Sequence, residues 1–455
     1  MNLRTISLRM IPLSLAICCF LSTGTVQAQG FAGVAVDADG VLRTHQIPDP
    51  HGRLRHQRMS AAQASLDQDI AKFSSLRKIS LTRLEQAIEK CIEEGREPTQ
   101  EMQHLAGLQR IQYLFAYPES GDLVIAGPAE GWYHDGANRA LGLSTHDPVM
   151  LLEDMVVAMR AFPPGGEQTP LVGCSIDPTT EGLQRMQQFI MRVGHTATPA
   201  QTQFIVNGLR QSLGLQTVSI WGIPGGTHFA QVMVEADYRM KLIGIGLEEP
   251  PVRMSSYVDL VNPTQVASNA LQRWYFVPDY ECVKVSHNGQ AAELVGRGVK
   301  LIGEDELVAA DGQRVSNRNT NSASGRFVQG FTAKYPQIAE RSPVYAQLRN
   351  LIDMLVAAAY MQQQDLYGEV EWEPLVFAHE KLFETQKYNT PAQVESAVNS
   401  LWKGRTLMTP VGGGVEITAY KALSEGNLMM DEDGKLESQH QQITPNLQAG
   451  QWWWD

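Results

Sequence analysis

Leu171-Val172-Gly173-Cys174-Ser175-Ile176, followed at once by Asp177-Pro178, is the stretch on which the reading of the fold turns. A short apolar run of this kind reads as a buried strand, and Asp before Pro places an N-cap residue ahead of a proline at the first helical position. Asp147-Pro148 and Thr198-Pro199 repeat the second signal, so three helix starts are marked between residues 147 and 247. The first helix carries Leu152, Met155, Val156 and Met159. The second carries Leu183, Met186, Phe189, Ile190 and Val193 and stops at Gly194, and the third carries Phe204, Ile205 and Leu209 and stops at Gly214. Thr217 to Trp221 and Phe229 to Val234 read as further strands. Strands alternating with amphipathic helices predict a sheet covered by helices, an α+β (mixed α/β) class.

The signals continue outward from this block. Toward the N-terminus, Val34, Val36, Asp39-Gly40 and Val41-Leu42 suggest a strand pair or an irregular segment. Ser80 caps a helix with Leu81, Leu84, Ile88 and Cys91 on one face, and Thr82 with Glu85 has capping-box spacing. Ile111 to Tyr117 and Leu123 to Ile125 flank the turn Pro118-Glu119-Ser120-Gly121. Toward the C-terminus, His287-Asn288-Gly289 reads as a hairpin turn between Tyr275 to Val285 and Ala292 to Ile302. A polar stretch, Gln313 to Gly325, reads as a linker. Ser342-Pro343 then opens a helix striped with Leu348, Leu351, Ile352, Leu355, Val356 and Ala359, and Thr390-Pro391 opens another with Val394, Val398 and Leu401. The expected organisation is a signal peptide over 1–28, a mixed α/β module over 29–315, a smaller helix-rich module over 326–421, and a polar tail over 422–455 ending in Trp452, Trp453 and Trp454.

Composition narrows the function. The chain of 455 residues is 43% apolar and 19% charged, with ordinary Gly and Pro content, which excludes disorder throughout and allows two or three domains. With 37 Lys+Arg against 49 Asp+Glu the formal charge is -12, a field that repels nucleic acid. Arg4 and Arg9 precede an apolar run from Met10 to Leu21, and Val26-Gln27-Ala28 forms a cleavage site, so export to the periplasm or the extracellular space is expected. The run is too short to span a bilayer, and no integral membrane segment is expected after cleavage. Cleavage removes two arginines and no acid. It also removes Cys18 and Cys19, leaving Cys91, Cys174 and Cys282, which are no disulfide framework; their redox state is left open.

Four stretches carry a resemblance: Gly127-Pro128-Ala129-Glu130-Gly131-Trp132, Gly173-Cys174-Ser175-Ile176-Asp177-Pro178, His228 through Leu247, and Phe331-Thr332 through Leu351-Ile352-Asp353. Together they resemble a family of secreted proteins of unknown function known mainly from planctomycete bacteria. The resemblance covers most of the mature chain and implies export and a shared fold. It brings no catalytic motif and assigns no site residue.

Cys174 and His228 form the sharpest catalytic pairing. Cys174 stands just ahead of a helix start, where thiolate is favoured. His228 follows the glycine-rich Gly222-Ile223-Pro224-Gly225-Gly226-Thr227 and would serve as the base, with Glu235 or Asp237 orienting it. Those glycines lack the ending of a phosphate loop and dinucleotide spacing. His379-Glu380 has Phe383 where a zincin needs its second His, Ser75-Leu76-Arg77-Lys78 lacks its companion K-T-G, and no G-x-S-x-G occurs. His45, His51 and His56 lie among Arg43, Arg53, Arg55 and Arg58, which repel a divalent cation, so the stretch reads as a solvated basic loop able to dock an acidic partner. Neither metal nor cofactor is expected. Trp452, Trp453 and Trp454 are either an exposed binding element or docked on the protein's own surface. Every catalytic motif is incomplete. The sequence therefore favours an exported non-catalytic binding or structural protein with an envelope or extracellular partner, over the alternative of a cysteine-dependent hydrolase or transferase using Cys174 with His228.

Overall fold

The computed structural model describes residues 31–37, 40–47, 49, 51–193, 199–262, 270–308, 314–317, 322–399, 402–403, 406–407 and 411–455. The signal-peptide stretch 1–28 and the expected positions Asp39, Gly194, Thr198 and Leu401 lie outside the described residues.

The class is α+β, as the residues predict. Val172–Pro178 is an interior strand of a mixed sheet. The sheet runs Phe31–Val36, Val41–Ile47, Gln393–Glu395, Leu215–Trp221, Val172–Pro178, Val411–Ile417, Ala270–Pro278, Val299–Val308, Arg314–Asn317. Cys174 stands opposite Ile220 on one side and Val415 on the other, antiparallel to both. Gly413 and Gly414 permit that tight insertion. A Cβ at Gly413, where φ is +132°, would lie 1.8 Å from the Trp274 carbonyl oxygen, and one at Gly414 would lie 1.9 Å from that of Cys174.

The run Phe229 to Val234, expected as a strand, lies within a helix, His228–Gly244. Phe229, Ala230, Val232, Met233, Val234, Ala236, Met240 and Ile243 are all buried, and so are Glu235, Asp237, Arg239 and Lys241, so the helix is covered nearly all round and lacks the one-sided pattern of an amphipathic helix at the surface. It packs on the Cys174 strand on one side and on the Pro343–Gln363 helix on the other. The latter helix starts at Ser342-Pro343 and buries its expected stripe in the same core.

Helix starts shift where tertiary pairing claims their signals. Asp147-Pro148 is held extended against Ala140–Gly142, with Val149 N–H donating to Ala140 O at 2.9 Å, and the helix begins four residues beyond Pro148, at Leu152. Pro178 ends a strand, and Thr179 caps the next helix by accepting from Gly182 N–H at 3.0 Å. Thr390-Pro391 opens no helix: Gln393–Glu395 is a strand set between Val41–Ile47 and Leu215–Trp221, with Val394 fully buried. The expected hairpin around His287-Asn288-Gly289 is two pairings in two sheets. Val283–Val285 pairs with Ala291–Leu294, while Ala270–Pro278 pairs with Val299–Val308. The polar stretch 313–325 includes the edge strand Arg314–Asn317 and the start of the helix Ser322–Arg341.

The second sheet runs Met429–Met430, Val283–Val285, Ala291–Leu294, Tyr113–Tyr117, Asp122–Ala129, Ser74–Ser80, Trp453–Trp454. Its centre is the expected hairpin through Pro118 to Gly121. Ser80 caps the Leu81–Glu93 helix by accepting from Arg83 N–H at 3.3 Å. Glu85 makes no capping box there: its carboxylate accepts from Trp372 Nε1 at 2.6 Å and from the Val376 and Phe377 amides. Residues 326–421 contribute strands Gln393–Glu395 and Val411–Ile417 to the first sheet, and the stretch 422–455 adds two short strands to the second.

Candidate functional site

The first turns of two helices meet at a large cleft. Leu152–Ala161 carries Glu153 and Asp154 in its first turn, where the helix dipole favours negative charge. His228–Gly244 begins beneath Thr227, whose hydroxyl accepts from Ala230 N–H at 3.2 Å, and His228 is its first residue. The cleft has a volume of about 1170 Å³. His228, Gln231, Val232 and Glu235 line it at helical spacing, and Glu153, Arg139, Asn138, His134, Gln347 and Tyr388 face it from other elements.

A relay of hydrogen bonds crosses the wall of this cleft and settles the imidazole tautomer. Arg139 pairs with Glu235 and donates from Nε to Gln347 Oε1 at 3.0 Å. An arginine can only donate, so the oxygen of Gln347 must face it. The amide nitrogen therefore faces His228 Nε2, 3.4 Å away, and in the neutral ring that nitrogen is the acceptor. Nδ1 then carries the proton and donates it to Asp154 Oδ2 at 2.7 Å. The other Asp154 oxygen is buried and has no donor among the described residues, so His228 is the partner on which this carboxylate depends.

Opposed influences set the charge of His228. Burial works against the imidazolium, but Asp154, through its charge and its hydrogen bond, and Glu153 more than offset this, and the pKa is raised above the ordinary imidazole value. Tyr388, its ring centroid 5.3 Å from that of His228, donates its hydroxyl to Glu153 Oε1 at 2.7 Å. Burial and the neighbouring Asp154 charge raise the Glu153 carboxyl, and burial with Glu153 raises the Tyr388 phenol. His104 stacks on Trp132 and is brought down by burial to about 4, so it lines the cleft as a neutral ring.

The residues singled out from sequence fall into two separate places. Cys174 is completely buried in the sheet and does not line the cleft, and no hydrogen bond joins it to His228 among the described residues. Burial, then the charge of Asp237, push its thiol well above the ordinary range, opposite to what an activated nucleophile needs. Asp237 accompanies Cys174. It takes Lys241 Nζ at 2.7 Å, and that ammonium also donates to the carbonyls of Ile176 and Gly413 at 3.0 and 3.1 Å. Burial pushes the Asp237 carboxyl up to about 6 in spite of the lysine. Neither expected orienting acid contacts His228 in the described hydrogen bonds, since Glu235 is held by Arg139 and Arg239. The orienting group is Asp154. Its only sequence signal was an acidic pair in a first helical turn, which is ordinary capping chemistry. Arg139, Gln347 and Tyr388 gave no signal, because the contacts that define them join distant parts of the chain.

The terminal tryptophans lie on the protein's own sheet edge. Trp453 and Trp454 pair with Ile79 and Lys78, Ser80 N–H donates to Trp452 O at 2.9 Å, and Arg77 covers the Trp453 ring at 4.7 Å. The basic stretch, expected as a loop, is divided: Arg43 and His45 fall on the strand Val41–Ile47, His51 lies in a turn, and Arg53, Arg55, His56 and Arg58 fall on the helix Arg53–Ser65, which is capped at Gly52 and buries no residue. Cys91, Cys174 and Cys282 are buried free thiols. Among the described residues no group of three His, Cys, Asp or Glu is arranged to hold a metal, and no helix is long and apolar enough to cross a membrane.

Residues 174–257 match a family described as a protein of unknown function (DUF1598). The match starts at Cys174 and includes His228, Glu235 and Asp237, whereas Arg139, Asp154, Gln347 and Tyr388 fall outside it. Neither the curated proteins nor the solved structures contain a match to the chain. What the chain is similar to is therefore a domain of unknown function over this one stretch.

Proposed function

We propose that this is an exported, non-catalytic binding protein of the periplasm or cell surface, and that it holds a polar ligand in the cleft beside His228. The observation that carries the reading is an oriented imidazole in a large cleft without a free nucleophile among the described lining residues. Tyr388 and Thr385 bring the lining hydroxyls, and both are committed, to Glu153 and to Glu380. Large concave sites with a few convergent polar groups are the usual places for ligands. The N-terminal sequence and the wider resemblance to secreted planctomycete proteins support export, and the mature chain should then begin at Gln29 by intact mass.

A chemically diverse fragment screen by crystal soaking tests the cleft. Fragments should gather at His228, Gln231 and Asn138, and Gln231→Trp, which fills the space from a half-buried position, should exclude them while leaving the melting temperature unchanged. Fragments that bind elsewhere, or that ignore Gln231→Trp, would contradict the reading.

A further inference from the structure

We propose that the ligand of this cleft is a neutral, polyhydroxylated chain of the oligosaccharide class, an inference that rests on reading the cleft as a binding site. The first argument is that the charges on its wall are already engaged. Arg139 is paired with Glu235, Arg96 with Glu94, and Lys387 with Glu384 at 2.9 Å. Glu153 receives the Tyr388 hydroxyl and the Gln386 amide. Among the described lining residues only the exposed Glu97 has neither counter-charge nor donor. At the buried Arg139–Glu235 pair an ionic ligand would have to break an existing contact and leave a buried charge uncompensated, whereas the exposed Arg96–Glu94 and Lys387–Glu384 pairs are weakly held.

The free hydrogen-bonding capacity is of another kind. Among the described residues the side-chain amides of Asn138 and Gln231 have no hydrogen-bond partner, and an amide presents donors and an acceptor together. His228 Nε2 accepts when the ring is neutral and donates when it is charged. A hydroxyl both donates and accepts, so it satisfies His228 in either state and the amides in either orientation. Tyr388 and Phe383 add aromatic surface to the same wall, suited to the apolar face of a sugar ring. The volume, about 1170 Å³, exceeds the roughly 300–1,000 Å³ of sites for compact small molecules, which favours an extended occupant over a single ring.

Isothermal titration calorimetry of the mature chain decides the class. The probes are neutral pentasaccharides of β-1,4-glucose, α-1,4-glucose and β-1,4-N-acetylglucosamine, with pentagalacturonate and the glucosamine pentamer as charged comparators. At least one neutral chain should bind in preference to both charged ones. Gln231→Ala and Asn138→Gly should each weaken it about three- to tenfold, the value of one hydrogen bond, and glycine tolerates the φ of +62° at Asn138. Tighter binding of a charged comparator, an affinity indifferent to both variants, or silence from every neutral chain would overturn the oligosaccharide class. Each of these results leaves the cleft reading to the fragment screen, which fails only if fragments avoid the cleft.

Discussion

The two halves of the His228–Gly244 helix each place a base beside an acid, and the two pairs have opposite surroundings. Asp237 and Lys241 are one turn apart on the helix itself, and two strand carbonyls complete the lysine's hydrogen bonding behind the Cys174 strand. His228 takes its acid from another helix and its second contact from a third, at the wall of an open cleft. The first arrangement is closed: every donor of the lysine has a partner in the protein. In the second, Gln347 is the sole group at Nε2 among the described residues, at a long 3.4 Å, which a ligand hydroxyl can replace. A perturbed pKa marks both places, so perturbation alone does not separate a structural pair from a binding site. Access to solvent does.

Breaking the closed pair should have the largest effect. Lys241→Met strands the Asp237 carboxylate and two strand carbonyls, and should cost about 3–5 kcal/mol in equilibrium denaturation. The double variant Asp237→Leu with Lys241→Met should recover most of that loss. A loss below about 1 kcal/mol for the single variant would show that the pair is solvated after all.

Cys174→Ala should be milder, about 1–2 kcal/mol, the scale of trimming a small core side chain, with ligand binding intact. In the native state Cys174 should alkylate slowly across the neutral range. Rapid, selective labelling of Cys174 would dissolve the contrast between the two pairs and favour a cysteine enzyme.

The smallest effect is a pH slope. His228 is faced by Asp154 and Glu153 from one helix, Gln347 from another, Arg139 from the loop just before the strand Ala140–Gly142 and Tyr388 from the loop beyond residue 382. Its folded pKa lies above the unfolded value of about 6.5. It therefore contributes stability that is fully present below about 6.5 and lost as pH rises through the folded value. Urea midpoints of the wild type and His228→Gln should diverge on the acid side and converge on the alkaline side. Divergence in the opposite sense would mean that burial outweighs the carboxylates.

Local chemistry was legible where a residue's partner is near in sequence. Ser80 caps its helix, Gly214 ends one at φ +68°, and the turn after Tyr117 joins two paired strands. The Cys174 strand was legible because a short apolar run in an interior strand has both faces covered. Legibility failed where a distant partner decides. Phe229 to Val234 reads equally as strand or buried helix by periodicity, and packing against Pro343–Gln363 decides it. Thr390-Pro391 has the chemistry of a helix start, but the gap between Val41–Ile47 and Leu215–Trp221 claims the segment as a strand. The site was half legible: the glycine-rich turn pointed to His228, while Asp154 lies 74 residues away and Gln347 lies 119, with no periodic signal linking them.

The central claim is that Asp154 and Gln347 fix His228 as an oriented imidazole at the cleft wall. Long-range nitrogen–proton NMR of 15N-histidine-labelled protein tests it most directly, because the two ring nitrogens resolve by protonation state. At a pH above the His228 transition, proton on Nδ1 and a bare Nε2 are predicted, with a midpoint above about 6.5 that falls in Asp154→Asn. A proton on Nε2 in the neutral ring, or a midpoint unmoved by Asp154→Asn, would contradict the account.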